Sequence, residues 1–128
     1  MKTSDAPRAL TIRQPWIGAI LAGRKRIENR SWRAESILGE RILLHAGARF
    51  DRAGAMFCEA HGWSPPSVSD LGAIVGSARV VDFIVRSRDP WFMGPIGWVL
   101  EDVRVIRPVP STGRLGLWTP PPDVLQSL

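Results

Sequence analysis

Lys25 and Glu28 stand three positions apart, inside a run that also carries Arg24, Arg26, Arg30 and Arg33. An ammonium, a carboxylate and several guanidiniums at this spacing support three kinds of chemistry. They can form a structural ion pair. They can read a base, with the carboxylate accepting from a cytosine amino group while the ammonium donates to phosphate or carbonyl oxygen. They can also act as an acid–base pair, if burial and the neighbouring arginines depress the lysine pKa. His45 is a further acid–base candidate near neutral pH, or else a satisfied core histidine. The catalytic candidates are therefore Lys25, Glu28 and His45.

The same run suits a polyanion. Arg24, Lys25, Arg26, Arg30 and Arg33 can neutralise several phosphates and release their counterions; a solvated loop is the bland alternative. Trp32, beside Arg30 and Arg33, offers an aromatic face next to guanidinium planes, a platform on which bases stack. Trp16 is either a second such face or packing. Arg13 and Gln14 precede it, and Gln14 can pair with a base or satisfy a buried backbone group. Asn29 completes the set expected to line a base pocket with Lys25, Glu28 and Trp32.

The elements that must position these groups follow from periodicity and punctuation. Ala9 to Arg13 alternates as a short strand. Pro15 can open a helix, in which Trp16, Ile17, Ile20 and Leu21 share a face and which Gly23 ends. Residues 25–32 then leave as a loop and an extended strand, so that Ile27 and Asn29 face one way and Arg26, Glu28 and Arg30 the other. Arg41 to His45 reads as a buried strand closed by Ala46-Gly47. Residues 49–61 read as a helix, with Cys58 buried on it. Ser64 to Ser69 is a polar proline turn. Leu71 to Val85 is a β-branched run broken by Gly72 and Gly76, as at the bends of a barrel. A loop with Trp91 and Phe92 at least partly exposed leads to a strand from Gly97 to Ile106 with Trp98 in the core. Leu115 to Trp118 is a last short strand. Asp51, Glu59 and Asp70 read as solvated. Five or six short strands with two main helices predict an α+β fold, a small mixed β-barrel. Residues 1–8 are expected to be a flexible tail, 9–118 the domain, and 119–128 a proline-rich tail.

Composition bounds the rest. The chain has 128 residues, which suits one domain. The net charge of +5 leans toward polyanionic partners. Only Lys2 and Lys25 are lysines; the other basic residues are arginines. The six tryptophans, with no tyrosine, belong mostly to the core and its rim. One cysteine and two histidines cannot build a structural zinc site. No phosphate loop, dinucleotide fingerprint, zincin helix or serine elbow is present, so no metal or cofactor is expected. No apolar run approaches the ~20 residues that span a bilayer. Met1 to Ala9 lacks the apolar stretch of a secretory signal, so no membrane association and a cytoplasmic address are expected.

Several blocks stand in a telling order. Arg13-Gln14-Pro15-Trp16 comes first, then Gly23-x-Lys25-x-x-Glu28-x-Arg30 with Ser31-Trp32. Leu44-His45-Ala46-Gly47, Gly94-Pro95-Ile96-Gly97-Trp98 and Gly116-Leu117-Trp118 follow. Together they resemble the ASCH domain family of the PUA-like superfamily, from about Ala9 to Trp118. The resemblance implies a PUA-like β-barrel whose cleft binds RNA or another single-stranded nucleic acid, with a modified base as one candidate target, or a nucleoside. It also implies an alternative, a small hydrolase. That would be a ribonuclease, or an amidohydrolase of acetylated cytidine, whose catalytic lysine Lys25 matches; Glu28 stands where that enzyme has a threonine.

Overall fold

The computed structural model describes residues 6–64 and 71–128. Residues 1–5 of the expected tail and 65–69 of the expected proline turn, together with Asp70, lie outside the described residues.

Strand alternation sorts the apolar side chains onto two faces of one sheet. In β1 (Ala9–Gln14) and β3 (Arg41–Phe50), Leu10, Ile12, Ile42, Leu44 and Ala46 enter the main core. Ala9 and Leu43, on the opposite face, join a smaller cluster with Ile74, Val109, Trp118 and Val124. Between these strands lie α1 (Trp16–Leu21) and β2 (Ile27–Arg30). After β3 come α2 (Arg52–Ala60), β4 (Ala73–Ile84), β5 (Ile96–Pro110), β6 (Leu117–Trp118) and α3 (Pro122–Gln126). The main core closes around Trp98, which is fully buried and meets Trp32 and Phe83 edge-on at 4.9 and 5.2 Å between centroids. Its indole N–H donates to the Trp32 carbonyl at 2.9 Å.

The strands form one six-stranded sheet in the order β2-β5-β4-β3-β1-β6, with β1 and β3 parallel and the other pairs antiparallel. The α+β class therefore holds, but the expected closed barrel does not form. Among the described residues no ladder joins β2 to the far side of the sheet. The end strands are too short to close it: β2 has four residues, and β6 pairs only with Ala9 and Leu10 of β1. In place of a ladder, the Arg30 side chain reaches from β2 to the carbonyl of Thr11 in β1, at 2.8 Å.

Several boundaries differ from expectation. β3 runs on through Ala46-Gly47 to Phe50, and α2 starts only at Arg52, with Asp51 as its N-cap. The proline-rich segment after residue 118 carries α3, whose Val124 is buried in the smaller cluster; prolines in the first turn suit that start. Gly72 precedes β4 in a left-handed conformation (φ 72°), whereas Gly76 lies within the strand at a register shift.

Gly76 is where the sheet tolerates no side chain. A Cβ there would lie 2.7 Å from Leu21 Cδ2 and 2.8 Å from the Arg104 carbonyl oxygen. The leucine tip can turn aside; the β5 backbone cannot. Gly76→Ala is expected to destabilise the fold by about 1–3 kcal/mol, the usual cost of overpacking, read as a lower urea midpoint with an unchanged slope.

Candidate nucleic-acid interface

The end of α1 aims Lys25. Gly23, at φ 79°, turns the chain, and the backbone N–H groups of Arg24 and Lys25 both donate to the Ala19 carbonyl at 3.1 Å. This wrap turns the Lys25 side chain inward, where only 1% of the residue stays exposed. Its ammonium lies 5.3 Å from the centroid of the Trp16 ring and donates to the Ile27 carbonyl. Glu28, on the following strand, is also buried and lies 3.5 Å from Lys25 Nζ. Arg30, two residues along and on the same strand face, donates from Nε to Glu28 Oε2 at 3.1 Å and places Nη2 3.0 Å from the same oxygen. The sequence motif thus becomes a buried carboxylate held between two cations. Burial pushes the Lys25 pKa below its ordinary value, and the Glu28 carboxylate acts in the opposite direction.

Asp51, expected to be solvated, ties this corner to α2. Its Oδ2 accepts from Trp16 Nε1 at 2.8 Å, and its Oδ1 accepts from the Gly54 N–H at 3.1 Å. The bond from Trp16, followed by backbone donors of α2, holds the Asp51 carboxyl below the usual carboxylate range. Trp16, Phe57, Trp63 and Trp91 then pack ring to ring at centroid distances of 5.3–6.3 Å. Asn29 fastens the loop carrying Trp91: its Nδ2 donates to the Trp91 carbonyl at 2.9 Å, and its Oδ1 accepts from the Met93 and Gly94 N–H groups at 2.8 and 3.1 Å.

A cleft of about 990 Å³ opens beside this network. Its position follows from a break in strand pairing. Ile12 pairs with Ala46 but Gln14 with Phe50, so two steps along β1 match four along β3. The surplus pushes Gly47, Ala48 and Arg49 out to line the cleft, the re-aiming that bulges commonly produce. The opposite wall is the segment from Pro110 to Gly116. Gly113 passes so close that a Cβ would lie 2.7 Å from His45 Cε1 and 2.9 Å from Thr11 Oγ1. Four arginines, Arg13, Arg30, Arg49 and Arg114, line the cleft, and among the described residues no carboxylate does.

His45 and Thr11 form the floor. His45 Nε2 lies 2.7 Å from the Ser111 carbonyl, which can only accept, so this nitrogen carries the proton. Nδ1 is then the acceptor for the Thr11 hydroxyl at 3.2 Å, while Thr11 Oγ1 accepts from Trp118 Nε1 at 3.1 Å. Burial lowers the His45 pKa, and the Ser111 carbonyl acts against that shift.

The structure divides the residues expected from the sequence. Arg13 and Arg30 line the cleft; Lys25 and Glu28 sit behind Arg30 and are not part of its lining. Gln14 is buried, Asn29 holds the Trp91 loop, and Trp32 packs its edge on Trp98. Arg24 is exposed over the Trp63 ring, Arg26 is exposed, and Arg33 pairs with Glu35 at 3.6 Å. Arg49 and Arg114 escaped the sequence reading. Among the described residues no three of His, Cys, Asp and Glu come together as metal ligands, and no helix is long and apolar enough to cross a membrane.

An α+β fold with an open sheet and a basic cleft beside the turn and strand bearing the Gly-x-Lys-x-x-Glu-x-Arg motif is the class of protein seen here. The ASCH domain profile matches residues 10–96, and the chain belongs to the ASCH domain family. The ASCH protein of Zymomonas mobilis superposes with a TM-score of 0.59 at 14% identity, covering 94% of this chain and 92% of that one. Tyrosine-to-phenylalanine and serine-to-alanine variants of that protein both give 0.63 at 14% identity, covering 95% of this chain and 95% and 93% of theirs. At that identity the likeness speaks for the fold alone. No curated protein matches the chain.

The buried histidine has a pH signature. Its native pKa is depressed from the ordinary 6.5, so below about pH 6.5 the unfolded chain binds more protons than the native one and stability falls with pH. The contribution is complete above that pH and is lost as pH drops toward the lower native value. Melting temperatures between pH 7.5 and 5 are expected to fall more steeply for the wild type than for His45→Gln; parallel curves would remove His45 as the source.

Proposed function

We propose that the chain binds RNA, or another single-stranded nucleic acid, in the cleft between the β3 bulge and the 110–116 wall. The observation that carries this reading is the lining: four guanidiniums, the hydroxyl-bearing Thr11, Ser111 and Thr112, and no carboxylate among the described residues. Guanidiniums match phosphate oxygens in geometry as well as charge. Arg13, Arg49 and Arg114 are exposed, so binding a phosphate costs them little desolvation. The glycines at 47, 72, 113 and 116 keep side-chain bulk out of the cleft, so a strand can approach the backbone. Membership of the ASCH family and the net charge of +5 support the same reading.

The geometry lends no support to the hydrolase alternative. The Lys25 ammonium is enclosed by Trp16, Glu28 and the Ile27 carbonyl rather than presented to the cleft. His45 spends its proton on a backbone carbonyl.

Each cleft arginine that pairs with a phosphate should contribute about one unit to the slope of log affinity against log salt. Fluorescence anisotropy with a labelled single-stranded RNA dodecamer is expected to show steep salt dependence for the wild type. Arg49→Gln and Arg114→Gln should each weaken binding several-fold and lower the slope by about one. Arg79→Gln, on the exposed surface of β4 outside the cleft, serves as the control. Flat curves at low salt, or equal losses in all three variants, would refute the reading.

A further inference from the structure

The Gly-x-Lys-x-x-Glu-x-Arg motif specifies three charged side chains, of which only one lines the cleft. Lys25 and Glu28 are buried, whereas the Arg30 side chain keeps 22% exposure. Arg30 is also the most heavily tethered of the four cleft arginines in its contacts. Nε and Nη2 engage Glu28 Oε2, and Nη2 also donates to the Thr11 carbonyl across the gap between β2 and β1. Nη1 takes no part in these bonds. A planar guanidinium gripped at two of its three nitrogens cannot rotate, so the direction of the third is set.

The Glu28 carboxylate could be expected to weaken an anion site by its charge. Lys25 offsets that charge from behind, 3.5 Å away, and so leaves the Arg30 charge unopposed toward the cleft. We propose that Glu28 is a positioning residue, with Lys25 as its counter-charge, and that the pair fixes Arg30 so that its remaining nitrogen, Nη1, is a preorganised phosphate donor, rather than touching the nucleic acid themselves. The inference rests on the cleft being the nucleic-acid site. Its content is that the lysine and glutamate of the motif act through the arginine. Arg13, Arg49 and Arg114 then supply adaptable charge, and Arg30 supplies a fixed direction.

The test is a binding cycle with the labelled RNA dodecamer. The double variant Lys25→Met/Glu28→Gln removes one positive and one negative charge, so the net charge is unchanged and bulk electrostatics predicts unchanged affinity. Loss of the fixed Nη1 direction predicts affinity roughly tenfold weaker, the value of about one charge-assisted hydrogen bond. In an Arg30→Gln background the same double variant is expected to change affinity by less than about twofold, because its target is gone. A merely structural role would lower affinity in both backgrounds alike. Arg30→Lys gives a second route should the double variant fail to fold: it keeps the charge and loses the planar, tethered donor, and it should also bind roughly tenfold more weakly. Wild-type affinity in Lys25→Met/Glu28→Gln or in Arg30→Lys, or equal losses in both backgrounds of the cycle, overturns the positioning role and leaves the binding reading intact. A wild type that binds no RNA at low salt overturns both.

Discussion

A carboxylate buried beside the first helix has to be compensated, and much of the architecture around the cleft can be traced to how this is done. Glu28 is taken out of water, a step that costs several kcal/mol unless opposite charge and hydrogen bonds replace the solvent. Two cations from the same short segment replace it. Lys25 comes from the turn after α1 and Arg30 from one strand repeat further along. Removing one partner of such a buried set typically costs about 3–5 kcal/mol, so the motif is a structural requirement. What makes it more than a salt bridge is the second reach of Arg30. By donating to the Thr11 carbonyl, the same guanidinium that neutralises Glu28 also spans the gap where the sheet fails to close.

The cleft is a consequence of that failure. A closed barrel would pair β2 with its neighbour across the seam and fill the interior with side chains. Here β2 is four residues long and ends the sheet, β6 protects only the first part of β1, and β3 carries surplus residues opposite Arg13. The pairing defect and the unclosed edge fall at the same end of β1, and the 110–116 segment passes over both. Backbone irregularity of this kind is stable only where it is pinned. His45 holds Ser111, Thr11 bridges His45 and Trp118, and Gly113 fits against both. A site built from bulges and loops is therefore held to a rigid core at several points, as a preorganised interface requires.

Local patterns made part of this legible. Strand alternation alone places Glu28 and Arg30 on one face, and Gly23 marks the end of α1. Trp98 read as core and is fully buried. Nonlocal features were not legible. Arg49 looked like the start of a helix, because Phe50, Ala53 and Phe57 continue at helical spacing; the structure instead spends residues 47–49 on a bulge that no hydrophobic period records. Asp51 looked solvated because nothing local reveals that an indole N–H lies 2.8 Å away. Arg114 carried no signal, since its place in the cleft depends on a chain segment returning from the far end of the sequence. The family resemblance suggested a β-barrel, and closure depends on strand lengths that a motif does not specify.

The basic run between residues 24 and 33 shows why linear charge density is a poor guide to an electrostatic surface. Five cations in ten residues suggested a phosphate track, yet folding sends them to different fates. Lys25 is buried, Arg24 lies over Trp63, Arg26 is exposed away from the cleft, Arg33 is paired with Glu35, and only Arg30 reaches the cleft. The reason is geometric. A turn followed by an extended strand distributes successive side chains to opposing sides, so adjacent charges diverge. The charges that converge come from β1, β2, β3 and the segment before β6, far apart in sequence. Convergence of like charges from separate elements has a repulsive cost that a folded chain bears without benefit unless an anion offsets it. Four guanidiniums facing one concavity, with no carboxylate among the described residues that line it, are a stronger argument for an anionic ligand than any cluster along the chain.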